Sequence, residues 1–130
     1  MRRAARRDVI GSPLSKTEGH GFPRAVRLVR RGEFDAVYRT GKRKSNSHFT
    51  VFFRANQMPY SRFGFSIKKE IGGAVVRNRI RRRVREIVRL HREEIEAGWD
   101  LVIHPKKVVV RSEFGVVTSE FLRVVKSGMA

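Results

Sequence analysis

Residues 77 to 92 read Arg-Asn-Arg-Ile-Arg-Arg-Arg-Val-Arg-Glu-Ile-Val-Arg-Leu-His-Arg, eight arginines against one glutamate. A guanidinium stays charged, offers phosphate oxygens a flat fork of donors and stacks on bases, so such a density of arginine is chemistry for a polyanion. At about 100° per residue, Val76, Ile80, Val84, Ile87, Val88, His91 and Ile95 share one arc, the buried stripe of an amphipathic helix. On the opposite side Asn78, Arg82, Arg85 and Arg89 follow at steps of four, three and four, with Arg81 and Arg92 beside the row. A helix that needed only solubility would alternate signs, because like charges one turn apart cost roughly a few tenths of a kcal/mol each. A membrane-surface helix is the other setting for a basic amphipathic stretch, but this stripe contains no Trp or Phe. The pattern predicts a row of phosphate contacts on nucleic acid.

The remaining reactive side chains do not assemble into a catalytic pattern. There is no cysteine, which excludes disulfides, thiolate metal sites and thiol nucleophiles. His20, His48, His91 and His104 are scattered, with no two at metal-ligand spacing, and His91 lies on the apolar stripe. Glu93, Glu94 and Glu96 trail the basic helix while Glu33 and Asp35 flank Phe34, an arrangement that fits helix solvation better than a two-metal nuclease cluster. No catalytic residue and no metal ligand is assigned, with a weak divalent-ion role near Asn78 left open.

The elements that must hold this helix follow from the rest of the chain. Its 130 residues suit one domain with a real core, and 30 Lys and Arg against 12 Asp and Glu give a net charge of +18, which an anionic partner would relieve. With no apolar run near the ~20 residues of a membrane span and no signal core, a soluble, cytoplasmic protein is expected. Residues 1–23 mix Arg2, Arg3, Arg6 and Arg7 with glycine and proline and read as a flexible basic arm, leaving 24–130 as the folded domain. A short helix is expected from Val29 to Thr40, then a polar link or edge strand at 42–47 and a strand at 48–54. That strand puts Phe49, Val51 and Phe53 on one face, Thr50 and Phe52 on the other. A strand from Arg62 to Ile67 should pair with it as a hairpin across the Pro59 turn. The arginine helix should run from about Val75 to Ala97 and stop at Gly98, before a compact strand over 99–104. A last helix, roughly 112–126, carries Phe114, Val117, Phe121 and Val124 or Val125 on one stripe, with Ser112 as its N-cap. The order α-β-β-β-α-β-α describes an α+β sandwich, one sheet with helices packed against it.

From Lys68-Lys69 through Ala74-Val75-Val76-Arg77-Asn78-Arg79-Ile80-Arg81-Arg82-Arg83-Val84-Arg85-Glu86, the chain resembles the RNR signature of the bacterial ribonuclease P protein subunit. The likeness extends through Arg62-Phe63-Gly64-Phe65-Ser66-Ile67 and back to Arg27-Leu28, Phe34, Val37, Tyr38 and Gly41, covering about residues 24–126. It implies a fold like the second domain of ribosomal protein S5, with a left-handed βαβ crossover around the RNR helix. It also implies a partner of a catalytic RNA that removes the 5′ leader from precursor tRNA, with hydrolysis carried by that RNA and magnesium and no obligate protein partner. On the family pattern Arg77, Asn78, Arg79, Arg82 and Arg85 face the RNA, joined here by Arg81, Arg89, Lys68 and Lys69. Phe34, Tyr38 and Phe52 match aromatic positions of a cleft for single-stranded leader, where bases can stack at ~1 to 3 kcal/mol each. Glu70 departs from the pattern, standing where many relatives carry a basic residue, which weakens the case for phosphate contact there. Two other readings compete: a ribosomal or other structural RNA-binding protein of similar fold, and a stand-alone metal nuclease.

Overall fold

The computed structural model describes residues 26–129, so the expected basic arm at 1–23 lies outside the described residues. The elements are α1 (Arg31–Thr40), β1 (Lys42–Ser45), β2 (Phe49–Ala55), β3 (Arg62–Phe65), α2 (Ala74–His91), β4 (Trp99–Pro105) and α3 (Phe114–Met129). Short 3₁₀ turns precede and follow α2 at Lys69–Ile71 and Arg92–Glu94, and another at Lys107–Val110 precedes α3. This is the predicted α-β-β-β-α-β-α order.

The strand order in the sheet is β1-β2-β4-β3. β1 is the antiparallel edge neighbour of β2, which pairs antiparallel with β4 from Phe49↔Pro105 to Ala55↔Trp99. β3 pairs with β4 in parallel, from Arg62↔Asp100 to Phe65↔Ile103. The hairpin expected between β2 and β3 therefore does not form, because β4 is inserted between them. Burial explains the outcome: Leu101, Val102 and Ile103 are all fully inaccessible, and a strand apolar on both faces belongs in the middle of a sheet. The six residues between β2 and β3 have only to step across one strand, about 10 Å in all. A parallel β3–β4 pair in turn requires a crossover, and α2 supplies it.

One face of the sheet is closed. Phe49, Val51 and Phe53 of β2 join Phe63, Leu101 and Ile103 in a core with Ile80, Val84, Ile87 and Val88 of α2 and Val117, Phe121, Val124 and Val125 of α3. The rings of Phe49 and Phe121 meet edge to face at 5.4 Å. Near the end of α3 the helix lies so close to β2 that a Cβ on Gly128 would overlap the ring of Phe53. The opposite face is only partly covered, by α1. Val37 and Leu28 are buried there against Val102, with Phe34 and Phe52 packed at the margin. Phe34 sits directly over Gly64, where a Cβ would come within 2.6 Å of its ring.

A polar clamp fixes α1 to this face. Arg62 donates through Nε and Nη2 to the two oxygens of buried Asp100, at 2.9 and 2.7 Å, and through Nη1 to Glu33 Oε2 at 3.0 Å. The other oxygen of Glu33 accepts from the amides of Val29 and Arg30 at the start of α1. One glutamate thus satisfies helix-end donors while tying the helix to β3 and β4.

Three local expectations need correction. The arginine helix ends at His91, not near Ala97; Ile95 is buried as its period implied, but from an extended backbone beyond the 3₁₀ turn. His91 is not a core residue: its imidazole is a quarter exposed and lies 2.6 Å from Glu94 Oε2. Ser112 does not cap α3, which begins at Phe114, because its hydroxyl donates to Val108 O at 2.9 Å and lies 2.8 Å from Nε2 of buried His48. No helix among the described residues is long and apolar enough to cross a membrane.

Candidate nucleic-acid interface

The expected apolar stripe anchors α2 as the sequence implied, with Ile80, Val84, Ile87 and Val88 wholly inaccessible. What faces outward is a graded set of cations. Asn78, Arg79 and Arg82 are exposed, and Arg77, Arg81, Arg85 and Arg89 are half-buried along their stems. Several are held in place by short contacts. Arg77 Nε donates to Gly72 O at 3.1 Å, closing the glycine-rich loop onto the first turn. Arg81 Nη1 donates to Asn78 Oδ1 at 2.7 Å, which orders both on the surface.

Arg85 has the least comfortable surroundings. Burial, together with the nearby charges of Arg27 and Arg81, pushes its pKa below the ordinary arginine value. Its Nε is buried with no hydrogen-bond partner among the described residues. A cation crowded by cations, with an unsatisfied donor, is stabilised by an incoming anion. Arg89 contrasts with it, because Glu86 accepts from its Nε and Nη2 at 3.0 and 2.6 Å. That end of the predicted row is partly neutralised by the helix's own carboxylate. Arg83, absent from the predicted row, donates to Val109 O at 2.6 Å and Ser112 O at 2.8 Å, pinning α2 to the turn before α3.

The aromatic residues assemble on the open face of the sheet. Tyr38 and Phe52 meet edge to face at 5.0 Å between ring centres. Phe34 is half-buried, packed over Gly64 and against the cluster of Leu28, Val37 and Val102, and it does not line the cavity beside Phe52. Beside Phe52 lies a cavity of about 350 Å³ lined by Arg43, Thr50, Ser66, Lys68, His104 and Lys107 among others. Lys68 therefore belongs to the cleft, whereas Lys69 is exposed in the turn before α2 and does not line the cavity. Glu70, also exposed, shares that turn.

His104 is the main residue that sequence reasoning missed. Its ring centre is 5.4 Å from Phe52 and 5.7 Å from Tyr38, whose hydroxyl lies 2.9 Å from its Nε2. Burial, then the charges of Lys68 and Arg43, hold its pKa below the usual 6.5. The signal that would have found it is register. Thr50 is paired with His104 and Phe52 with Val102, so these four side chains share a face. Pairing β2 with β3 instead hid that relation.

The described histidines stay apart: His48 contacts Ser47 and Ser112, His91 contacts Glu94, and His104 contacts Tyr38. Among the described residues no three His, Asp or Glu side chains gather as metal ligands.

The chain matches the family described as Ribonuclease P over residues 22–128. The ribonuclease P protein component of Thermotoga maritima is 37% identical over 109 residues, spanning 81% of this chain and 93% of that protein. The corresponding component of Desulfovibrio desulfuricans is 44% identical over 88 residues, 66% of this chain and 68% of the relative. Among solved structures, the RNase P protein of Thermotoga maritima superposes with a TM-score of 0.73 at 37% identity, covering 78% of this chain and 96% of the other. That of Staphylococcus aureus gives 0.71 at 25% identity, over 79% and 94%.

Proposed function

The chain belongs to the ribonuclease P protein family, and from that premise we propose that the outer face of α2 binds the ribonuclease P RNA while the cleft on the open sheet face receives the 5′ leader of precursor tRNA. As a protein component of this ribonucleoprotein endoribonuclease, it works with the RNA in maturing tRNA 5′ ends. The observation that carries the division of labour is the contrast between Arg85, crowded by Arg27 and Arg81 with a buried unsatisfied donor, and the ring cluster of Tyr38 and Phe52 on another surface. Crowded guanidinium groups suit the dense phosphates of a folded RNA. Edge-to-face rings beside a cavity lined by Arg43 and Lys68 suit unpaired bases, which stack while cations follow their backbone.

In this reading the bond is broken by the RNA with its magnesium ions. In it no step is assigned to an ion held by the protein. The protein raises the local concentration of substrate on the RNA and offsets phosphate repulsion between the two, so its benefit should be greatest when magnesium is scarce.

Reconstitution tests this directly. Added to a bacterial ribonuclease P RNA at low magnesium, the protein should restore 5′ processing of precursor tRNA. Failure to do so would favour a different RNA partner, and cleavage by protein and magnesium alone would overturn the assignment of catalysis to RNA.

A further inference from the structure

His104 stands in the one part of the cleft that neither the arginine pattern nor the RNR motif marks. Its ring is fixed from one side: Tyr38 Oη lies 2.9 Å from Nε2, and the ring is tilted against both Tyr38 and Phe52 at centre distances of 5.7 and 5.4 Å. Tyr38 Oη also has Ser66 as a hydrogen-bond partner, so the imidazole tautomer follows the tyrosine proton: with Tyr38 donating to Nε2, Nδ1 carries the imidazole proton, and with Tyr38 donating to Ser66, Nε2–H donates to Tyr38 and Nδ1 is an acceptor. In both tautomers Nδ1 is the ring nitrogen that Tyr38 does not engage. Beside this ring is the cavity of about 350 Å³, within the range of small-ligand sites.

We infer that His104 is a nucleotide-contacting residue: its ring supports one unpaired nucleotide alongside Phe52, and its Nδ1 makes a hydrogen bond with that nucleotide. This deepens the reading that single-stranded leader enters the cleft, and rests on it. The groups around the imidazole come from every packed element. They are Tyr38 on α1 with Asp35 behind it, Arg43 on β1, Thr50 and Phe52 on β2, Ser66 and Lys68 after β3, and Lys106 and Lys107 beyond β4. The cations and burial keep the free protein's imidazole neutral at physiological pH. A phosphate seated among Arg43 and Lys68 offsets those charges and raises the imidazole's proton affinity, so binding takes up a proton. Leader-dependent affinity then climbs as pH falls through the pKa of the bound state and levels off below that of the free state.

The experiment uses holoenzyme reconstituted with ribonuclease P RNA and compares precursor tRNA with the same tRNA lacking a leader. His104→Phe keeps a ring but removes both nitrogens, and His104→Asn restores a hydrogen-bonding group without the ring. Phe52→Ala probes the cleft independently. For His104→Phe we expect a loss of about three- to tenfold in leader-bearing affinity, the size of one net hydrogen bond, with leaderless binding unchanged. Wild type should gain leader-dependent affinity as pH falls toward and below the ordinary imidazole value of about 6.5, and His104→Phe should be flat there. His104→Asn should recover part of the affinity without the pH response. If Phe52→Ala loses leader selectively while His104→Phe matches wild type in affinity and pH profile, the inference is wrong and the cleft reading stands. If neither variant loses leader selectively, the cleft reading itself fails. Equal losses with and without leader in His104→Phe would make His104 structural and overturn the inference.

Discussion

The two faces of one sheet put neighbouring residues of β2 to opposite uses. Phe53 is 1% exposed, pressed between Leu101, Gly128 and the helices, whereas Phe52, one residue away, stays partly open beside Tyr38 and His104. The closed face is covered by two long helices, and the open face by one short helix clamped at its start by Glu33 and Arg62. The same residue type therefore serves cohesion on one side and recognition on the other, and what decides is how many helices the topology assigns to each face.

The sharpest way to break this comparison is to truncate both rings. Phe53→Ala should cost ~3 to 5 kcal/mol of stability, as for a fully enclosed aromatic ring whose cavity cannot collapse. Phe52→Ala should cost well under half as much stability, yet weaken leader-bearing substrate by ~1 to 3 kcal/mol, about one stacked base. Chemical denaturation and binding to substrates with and without leader would measure both. Equal destabilisation by the two variants would mean the open face is simply a second core.

Charge offers the next test. Arg82 and Arg85 lie on α2, which packs on the closed face, whereas Phe52 lies on the open face, so replacing both with Ala should weaken leaderless and leader-bearing tRNA–RNA complexes alike. The slope of log affinity against log salt should fall by ~1.4 to 1.8, two phosphates' worth. A leader-selective loss would show that the helix and the cleft are one surface.

How far these regions could be read from sequence differs for a physical reason. The arginine helix announces itself because both its faces are written within one local period, with Ile80, Val84, Ile87 and Val88 inward and Asn78, Arg79 and Arg82 outward. The element order was legible for the same reason, each element except the polar edge strand β1 having its own period. The cleft was legible only in part. Phe52 follows from alternation along β2, but His104, Arg43 and Ser66 reach the cavity through strand pairing, which no local period records. The end of α2 was misjudged because Ile95 keeps the helical phase while leaving the helix. Arg89 and Glu86 illustrate a further blind spot: spacing places them as neighbours, but only geometry shows the pair closed through two hydrogen bonds.

Acid should separate the faces more gently. The His104 pKa is lowered by burial and by Lys68 and Arg43, so its folded form resists protonation more than its unfolded form. As pH falls through the unfolded value of about 6.5, the unfolded chain takes up the proton first. Stability declines there and levels off once pH lies below the folded pKa. His104→Phe should remove this portion of the acid loss in denaturation curves at pH 8 and pH 5, while a closed-face variant such as Ile103→Val should keep it. An unchanged acid response in His104→Phe would place the titrating group elsewhere.

The smallest effect concerns where the cationic face ends. Glu86 is held below the usual carboxylate range by its hydrogen bond from Arg89, and so remains charged and paired at any pH at which the RNA complex would be studied. Glu86→Gln removes that charge while leaving an oxygen that can accept from Arg89. If Arg89 is a phosphate contact, the salt slope should rise by up to ~0.9 and affinity should increase slightly, because the guanidinium no longer has to leave a carboxylate to meet the RNA. An unchanged slope would confine the interface to the first three turns of α2, from Arg77 to Arg85. The rest of α2 would then be a boundary where Glu86, and beyond the helix Glu93 and Glu94, reverse the sign of the surface.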